Sequence, residues 1–241
     1  MRALAASTAW VLGGAAAFAA LWWAFLNTPE STVFMLGLSL LLVLGMYAVA
    51  ALTSGSVLLG WERGWSLDTA RGAAAGLATF LVPALAAGTA WWLVGAALGW
   101  IEQHSREVAA WFITTVNWSD VTWLTRAATY LGEWLRAVVA PFVALAWFGE
   151  IVARGGRLWV GRAPVARALS PVRLLAATLI AAVTLWAPLR YGLYWVPPGL
   201  PPTWMEPAVA LIKFGLIALV GAVGVSLIAR LAAAPPHTSR P

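Results

Sequence analysis

Six stretches of the chain are nearly unbroken runs of apolar residues, and the polar residues collect between them. The runs cover residues 8–26, 32–54, 72–99, 122–149, 172–195 and 208–233. Each is near or beyond the roughly 20 residues that a helix needs to cross a ~30 Å hydrocarbon layer. Inside a bilayer no water is present to satisfy peptide groups, so such runs are expected as α-helices. The expected fold is all-α: a polytopic transmembrane helical bundle of about six spans, forming one domain over residues 1–233. The polar, proline-rich end at 234–241 is expected to lack fixed structure. The first run follows Arg2 and contains Ala17-Phe18-Ala19, a pattern shared with signal peptides. From Thr8 to Leu26 it is long enough to span, and it is read as the first span.

The connections add detail. Asn27-Thr28-Pro29-Glu30-Ser31 is a short turn without a basic residue, which predicts an antiparallel helical hairpin. Residues 101–118 follow a different period. Val108, Trp111, Phe112, Thr115 and Val116 share one helical face, whereas Gln103, Arg106, Glu107, Ala110, Thr114 and Asn117 share the other. That pattern predicts an amphipathic helix lying in the outer interface, with Ser119 or Asp120 capping the next span. Pro83, Pro141 and Pro188 fall inside runs and predict kinks. Gly72/Gly76, Gly13/Ala17 and Ala218/Ala222 are small-xxx-small pairs, expected where helices cross closely.

Composition supports membrane solvent. Hydrophobic residues make up 62% of the 241, and charged residues 10%, against about 25% charged in soluble domains. A soluble chain this short has too little interior to hide that much apolar surface. The formal net charge is +6, yet the basic residues sit in short loops, so nucleic acid is not an expected partner. Arg2, Arg63, Arg71, Arg154, Arg157, Arg162, Arg167, Arg173, Arg230 and Arg240 all lie on one side of a six-span chain. The opposite loops hold Arg106 and Arg126, diluted by Glu102, Glu107 and Asp120. The positive-inside rule then puts both termini in the cytoplasm. Abundant alanine and a single lysine, Lys213, suggest a GC-rich bacterial genome and hence a bacterial cytoplasmic (inner) membrane. Tryptophans such as Trp22, Trp23, Trp91, Trp92, Trp100, Trp195 and Trp204 are expected as an aromatic belt at the outer ends of the spans.

Enzyme signatures are missing from the sequence. There is no cysteine, which excludes disulfides and thiol catalysis. The only histidines are His104 and His237, with no HExxH pattern and no glycine-rich phosphate loop. No catalytic residue, metal ligand or cofactor is assigned.

The best clues to function are ionisable residues within the runs, because the bilayer centre penalises charge. Glu133 and Arg136 lie on the fourth run, Arg190 on the fifth and Lys213 on the sixth. The topology brings all four toward the outer half of the membrane. Two readings follow. One is a structural network in which Glu133 bridges Arg136 at i, i+3 and Lys213 across helices, while Arg190 snorkels to headgroups. The other is an anion-receptive site, lined also by Tyr130 and Trp134, where arginine forks meet lipid phosphate. A raised carboxylate pKa at Glu133 would instead suit proton coupling. The function expected is transport or lipid handling, with membrane lipids as partners. The alternative is a non-catalytic structural subunit, with other membrane-protein subunits as partners.

Overall fold

The structure is a computed structural model that describes residues 1–29, 32–116, 122–195 and 205–233. Among these residues it is all-α, with six helices long and apolar enough to cross a membrane. The helices are α1 (Arg2–Leu26), α2 (Val33–Arg63), α3 (Leu67–Ala74), α4 (Leu81–Gln103), α5 (Ser105–Val116), α6 (Thr122–Ala153), α7 (Ala163–Ala168), α8 (Pro171–Gly192) and α9 (Met205–Ala232). The expected tail, the possible caps Ser119 and Asp120, and most of the link between α8 and α9 lie outside the described residues.

Local chemistry sets several boundaries. Thr32 starts α2 by accepting the Met35 N–H at 3.2 Å, and Ser66 starts α3 by accepting the Thr69 N–H at 3.2 Å. Helix α6 ends in a Schellman motif. Gly156 N–H donates to Ile151 O at 2.9 Å and Gly155 N–H to Val152 O at 3.0 Å. Both glycines have positive φ, 69° at Gly155 and 86° at Gly156, and a β-carbon at Gly156 would collide with the Ala75 carbonyl.

Several expectations change. The third span does not begin at 72: it opens with a 3-10 turn at Ala78–Phe80 and continues as α4. Residues 67–74 form the separate helix α3, so Gly72 and Gly76 straddle a helix end rather than mark one helical face. Pro83 sits in the first turn of α4, directly after the 3-10 turn that opens the span. Pro141 and Pro188 accompany wide π turns at Leu135–Val139, Ala182–Trp186 and Pro188–Gly192. At the first, Ala140 N–H bonds to Leu135 O, taking in an extra residue just before a proline that cannot donate. The Gly13/Ala17 pair is not a crossing point, since Gly13 has open space around it. Its neighbour Gly14 meets Thr53 on α2 instead, while Gly224 on α9 meets Thr184 on α8 and Gly132 on α6 meets Leu98 on α4.

α6 and α9 organise the bundle. α6 packs on α2, α4, α8 and α9, and α9 packs on α1, α2, α6 and α8. The most apolar stretch of α6 is 39% buried, against 11% or less for every other span. The protein core lies toward the arginine-rich end. It includes Val57, Leu58, Phe142, Phe148, Val152 and Ala229. Phe80 packs edge-on to Phe148 with centroids 4.8 Å apart. Because lipid is as apolar as these side chains, close packing rather than exclusion from water holds them together.

Candidate functional site

At the far end from the arginine-rich loops, α4 and α6 part to form a cleft of about 640 Å³. The two helices are antiparallel: Leu98 lies against Gly132 and Gly95 against Arg136. The cleft is lined by Glu102 from α4 and by Arg126, Thr129, Tyr130, Glu133 and Arg136 from α6. Arg126, Tyr130 and Glu133 follow an i, i+4, i+7 spacing that puts them on one helical face. From the register at Leu98 and Gly132 in this antiparallel pair, Glu102 falls beside Ala128, between Arg126 and Glu133 in depth. The order from mouth to base is therefore Arg126, Glu102, Glu133 and Arg136. Two cations and two anions give the cleft a formal charge of zero.

Arg136 forms the deep end. Its guanidinium carbon lies 3.8 Å from the centre of the Trp91 ring, a cation–π contact. Its Nε is buried without a hydrogen-bond partner. The π turn over Leu135–Val139 carries Arg136, a kind of distortion that recurs at functional sites. Trp91 and Trp92 were expected at an outer helix end, but α4 continues to Gln103 and leaves them near its middle. Among the described residues, no ion pair joins Glu102, Arg126, Glu133 or Arg136. The expected Glu133–Arg136 bridge does not form.

The other sequence candidates lie elsewhere. Trp134 points from α6 toward α8, where its Nε1 donates to Thr178 Oγ1 at 2.9 Å. Lys213 donates to the carbonyls of Leu193 at 2.9 Å and Trp195 at 2.5 Å. It thus satisfies acceptors left free where α8 ends. Arg190 is exposed in the last π turn of α8 and does not line the cleft. Of the six residues singled out, Tyr130, Glu133 and Arg136 come together. Glu102 and Arg126 join them although the sequence reading treated both as loop charges.

A second charged cluster was not anticipated. Glu150, 4% exposed near the arginine-rich end of α6, receives Arg154 Nε at 2.9 Å and Arg154 Nη2 at 2.8 Å on one oxygen. Arg167 Nη2 reaches its other oxygen at 2.5 Å and so ties α7 to α6. Close by, Arg63 Nη2 donates to Ala153 O at 2.7 Å, and Arg173 Nη1 to Leu231 O at 3.3 Å. These arginines complement the carbonyl ends of α6 and α9. Trp61 and Trp65 pack against each other and the core, with ring centres 6.5 Å apart. Trp159 is 90% exposed.

No protein-family model matches this chain, no curated protein matches it in sequence, and no solved structure matches it in fold. Six helices among the described residues, each long and apolar enough to cross a membrane, make this an integral membrane protein.

Proposed function

We propose that this protein handles membrane lipids, and that the cleft between α4 and α6 receives a charged lipid headgroup. One observation carries the reading: Arg126, Glu102, Glu133 and Arg136 line a single hollow without pairing to one another. Charge near the hydrocarbon layer is costly unless it is hydrated or paired, so the hollow suits water or a polar headgroup rather than acyl chains. Arginine forks match phosphate oxygens, and the exposed Tyr130 on the same wall supplies a further hydrogen-bonding group. With the arginine-rich loops in the cytoplasm of a bacterium, the cleft opens to the outer leaflet of the inner membrane.

Lipids copurified with the full-length protein provide the test, quantified by mass spectrometry for wild type, Arg126→Gln and Arg136→Gln. Both variants should lose most of the retained phospholipid. Arg126 is exposed and unpaired among the described residues, so Arg126→Gln separates binding from folding. Equal retention by all three proteins would sink the proposal.

A second reading, a subunit of a larger membrane complex, is favoured by the loop at the arginine-rich end. Leu158 and Trp159 are exposed there beside Arg157 and Arg162. A stable partner chain in a native purification, lost on Arg157→Glu/Arg162→Glu, would support that role.

A further inference from the structure

We infer that the cleft selects a zwitterionic headgroup bearing a primary ammonium and a phosphate, of the phosphatidylethanolamine type. The inference rests on the lipid reading above and narrows it. A site built from Glu133, Arg136, Arg190 and Lys213 would carry surplus positive charge and favour a simple anion. The charged groups that line the cleft balance instead: Arg126 and Arg136 against Glu102 and Glu133. Lys213 is occupied by the carbonyls of Leu193 and Trp195.

The order of the charges bears on the ligand. The carboxylates occupy the middle levels, with an arginine above them and another below. Glu133 and Arg136 differ by three residues, about one turn of helix. A headgroup with a phosphate and an ammonium separated by two carbons has both charges within that reach. Its phosphate takes an arginine fork, and its ammonium donates to Glu102 and Glu133. An anionic headgroup without the ammonium leaves both carboxylates unpaired beside its own charge. A choline headgroup brings a cation with no N–H to donate, so it forfeits those hydrogen bonds. Arg136 keeps its place without a ligand because Trp91 supports its guanidinium.

Native mass spectrometry of the full-length protein tests the inference. The protein is offered equal amounts of palmitoyl-oleoyl phosphatidylethanolamine, phosphatidylglycerol and phosphatidylcholine. Phosphatidylethanolamine should be held about tenfold more tightly than either competitor, the scale of one charge-assisted hydrogen bond. Glu102→Gln and Glu133→Gln should each remove that advantage over phosphatidylglycerol, and Arg126→Gln should weaken all three lipids. Glu102 is exposed and unpaired among the described residues, so its variant keeps the experiment decisive even if Glu133→Gln folds poorly. If wild type holds phosphatidylglycerol as tightly as phosphatidylethanolamine, and Arg126→Gln weakens both, the selectivity is overturned while the lipid reading stands. Lipid binding indifferent to Arg126 overturns both. Displacement of the lipid by an equal concentration of soluble phosphoethanolamine would assign the cleft to a free compound and overturn the lipid source.

Discussion

At the scale of single residues, two glutamates on α6 carry opposite expectations. Glu150 is enclosed and held by two arginines, whereas Glu133 is exposed in the cleft and pairs with neither Arg136 nor Lys213. Removing the charge from Glu150 leaves Arg154 and Arg167 without their acceptor in a partly buried site. A fully buried pair broken this way costs ~3–5 kcal/mol. Both arginines keep substantial exposure, with side chains 44% and 29% accessible, so water recovers part of the loss. We expect Glu150→Gln to lower stability by ~2 kcal/mol after that screening, and Glu133→Gln by less than ~0.5 kcal/mol. Unfolding of the purified variants in mixed micelles measures both, and comparable losses would contradict the contrast. The sequence exposed Glu133 and Arg136 because a charge inside an apolar run stands out. Glu150 was hidden by its surroundings: at the end of a run and four residues before Arg154, it resembled a loop charge. Its other partner, Arg167, is 17 residues away in sequence and reaches it from α7, across the connection that follows α6.

At the scale of elements, the existence of the spans was legible and their contacts were not. Twenty apolar residues in a row announce a helix through solvation alone. Which glycine meets a neighbour depends on helix rotation, and in an alanine-rich helix no strong amphipathic signal sets that rotation. Gly13 and Gly14 show the consequence: only Gly14 faces α2, where a β-carbon would overlap Thr53. The π turns were equally hidden, since proline marks the place of a disturbance without specifying its form. The cleft was half legible for a related reason. Arg126, Tyr130 and Glu133 share a face by simple periodicity, but Glu102 joins them only because α4 extends to Gln103. These contacts yield a comparison between sites. Gly14→Val and Gly224→Val should each destabilise the bundle by about 1–3 kcal/mol through overpacking. Gly13→Ala, with open space around it, should be neutral or stabilise by about 0.4–1 kcal/mol. Micelle unfolding midpoints would decide, and a Gly13→Ala loss matching the valine variants would contradict the assigned crossing.

At the scale of the whole molecule, the end that faces the cytoplasm determines which leaflet the cleft serves. Several arginines at the basic end make structural contacts, so only part of the charge bias is free to set topology. Arg63 and Arg173 bond the carbonyl ends of α6 and α9, Arg154 and Arg167 hold Glu150, and Arg230 lies over Trp61 at 5.2 Å. Setting these aside leaves Arg2, Arg71, Arg157 and Arg162 exposed at the same end, with Arg71 only weakly engaged by exposed Asp68. At the far end, Arg106, Arg126 and Arg190 are exposed together with Glu102, Glu107 and Glu133. A basic residue near an anionic cytoplasmic leaflet contributes about 1 kcal/mol, so the proposed orientation, with that end inward, rests on this remaining bias. Single-cysteine labelling tests this cleanly, since the chain has no cysteine of its own. Gly156 is a poor position, because its positive φ and the nearby Ala75 carbonyl disfavour any side chain. Trp159, 90% exposed, and Glu107, exposed on α5, are better. A membrane-impermeant maleimide applied to intact cells should modify Glu107→Cys and spare Trp159→Cys. Permeabilising the cells should then expose Trp159→Cys, which shows that its earlier protection came from the membrane and not from burial. The reverse pattern would turn the bundle over and direct the headgroup cleft to the cytoplasmic leaflet.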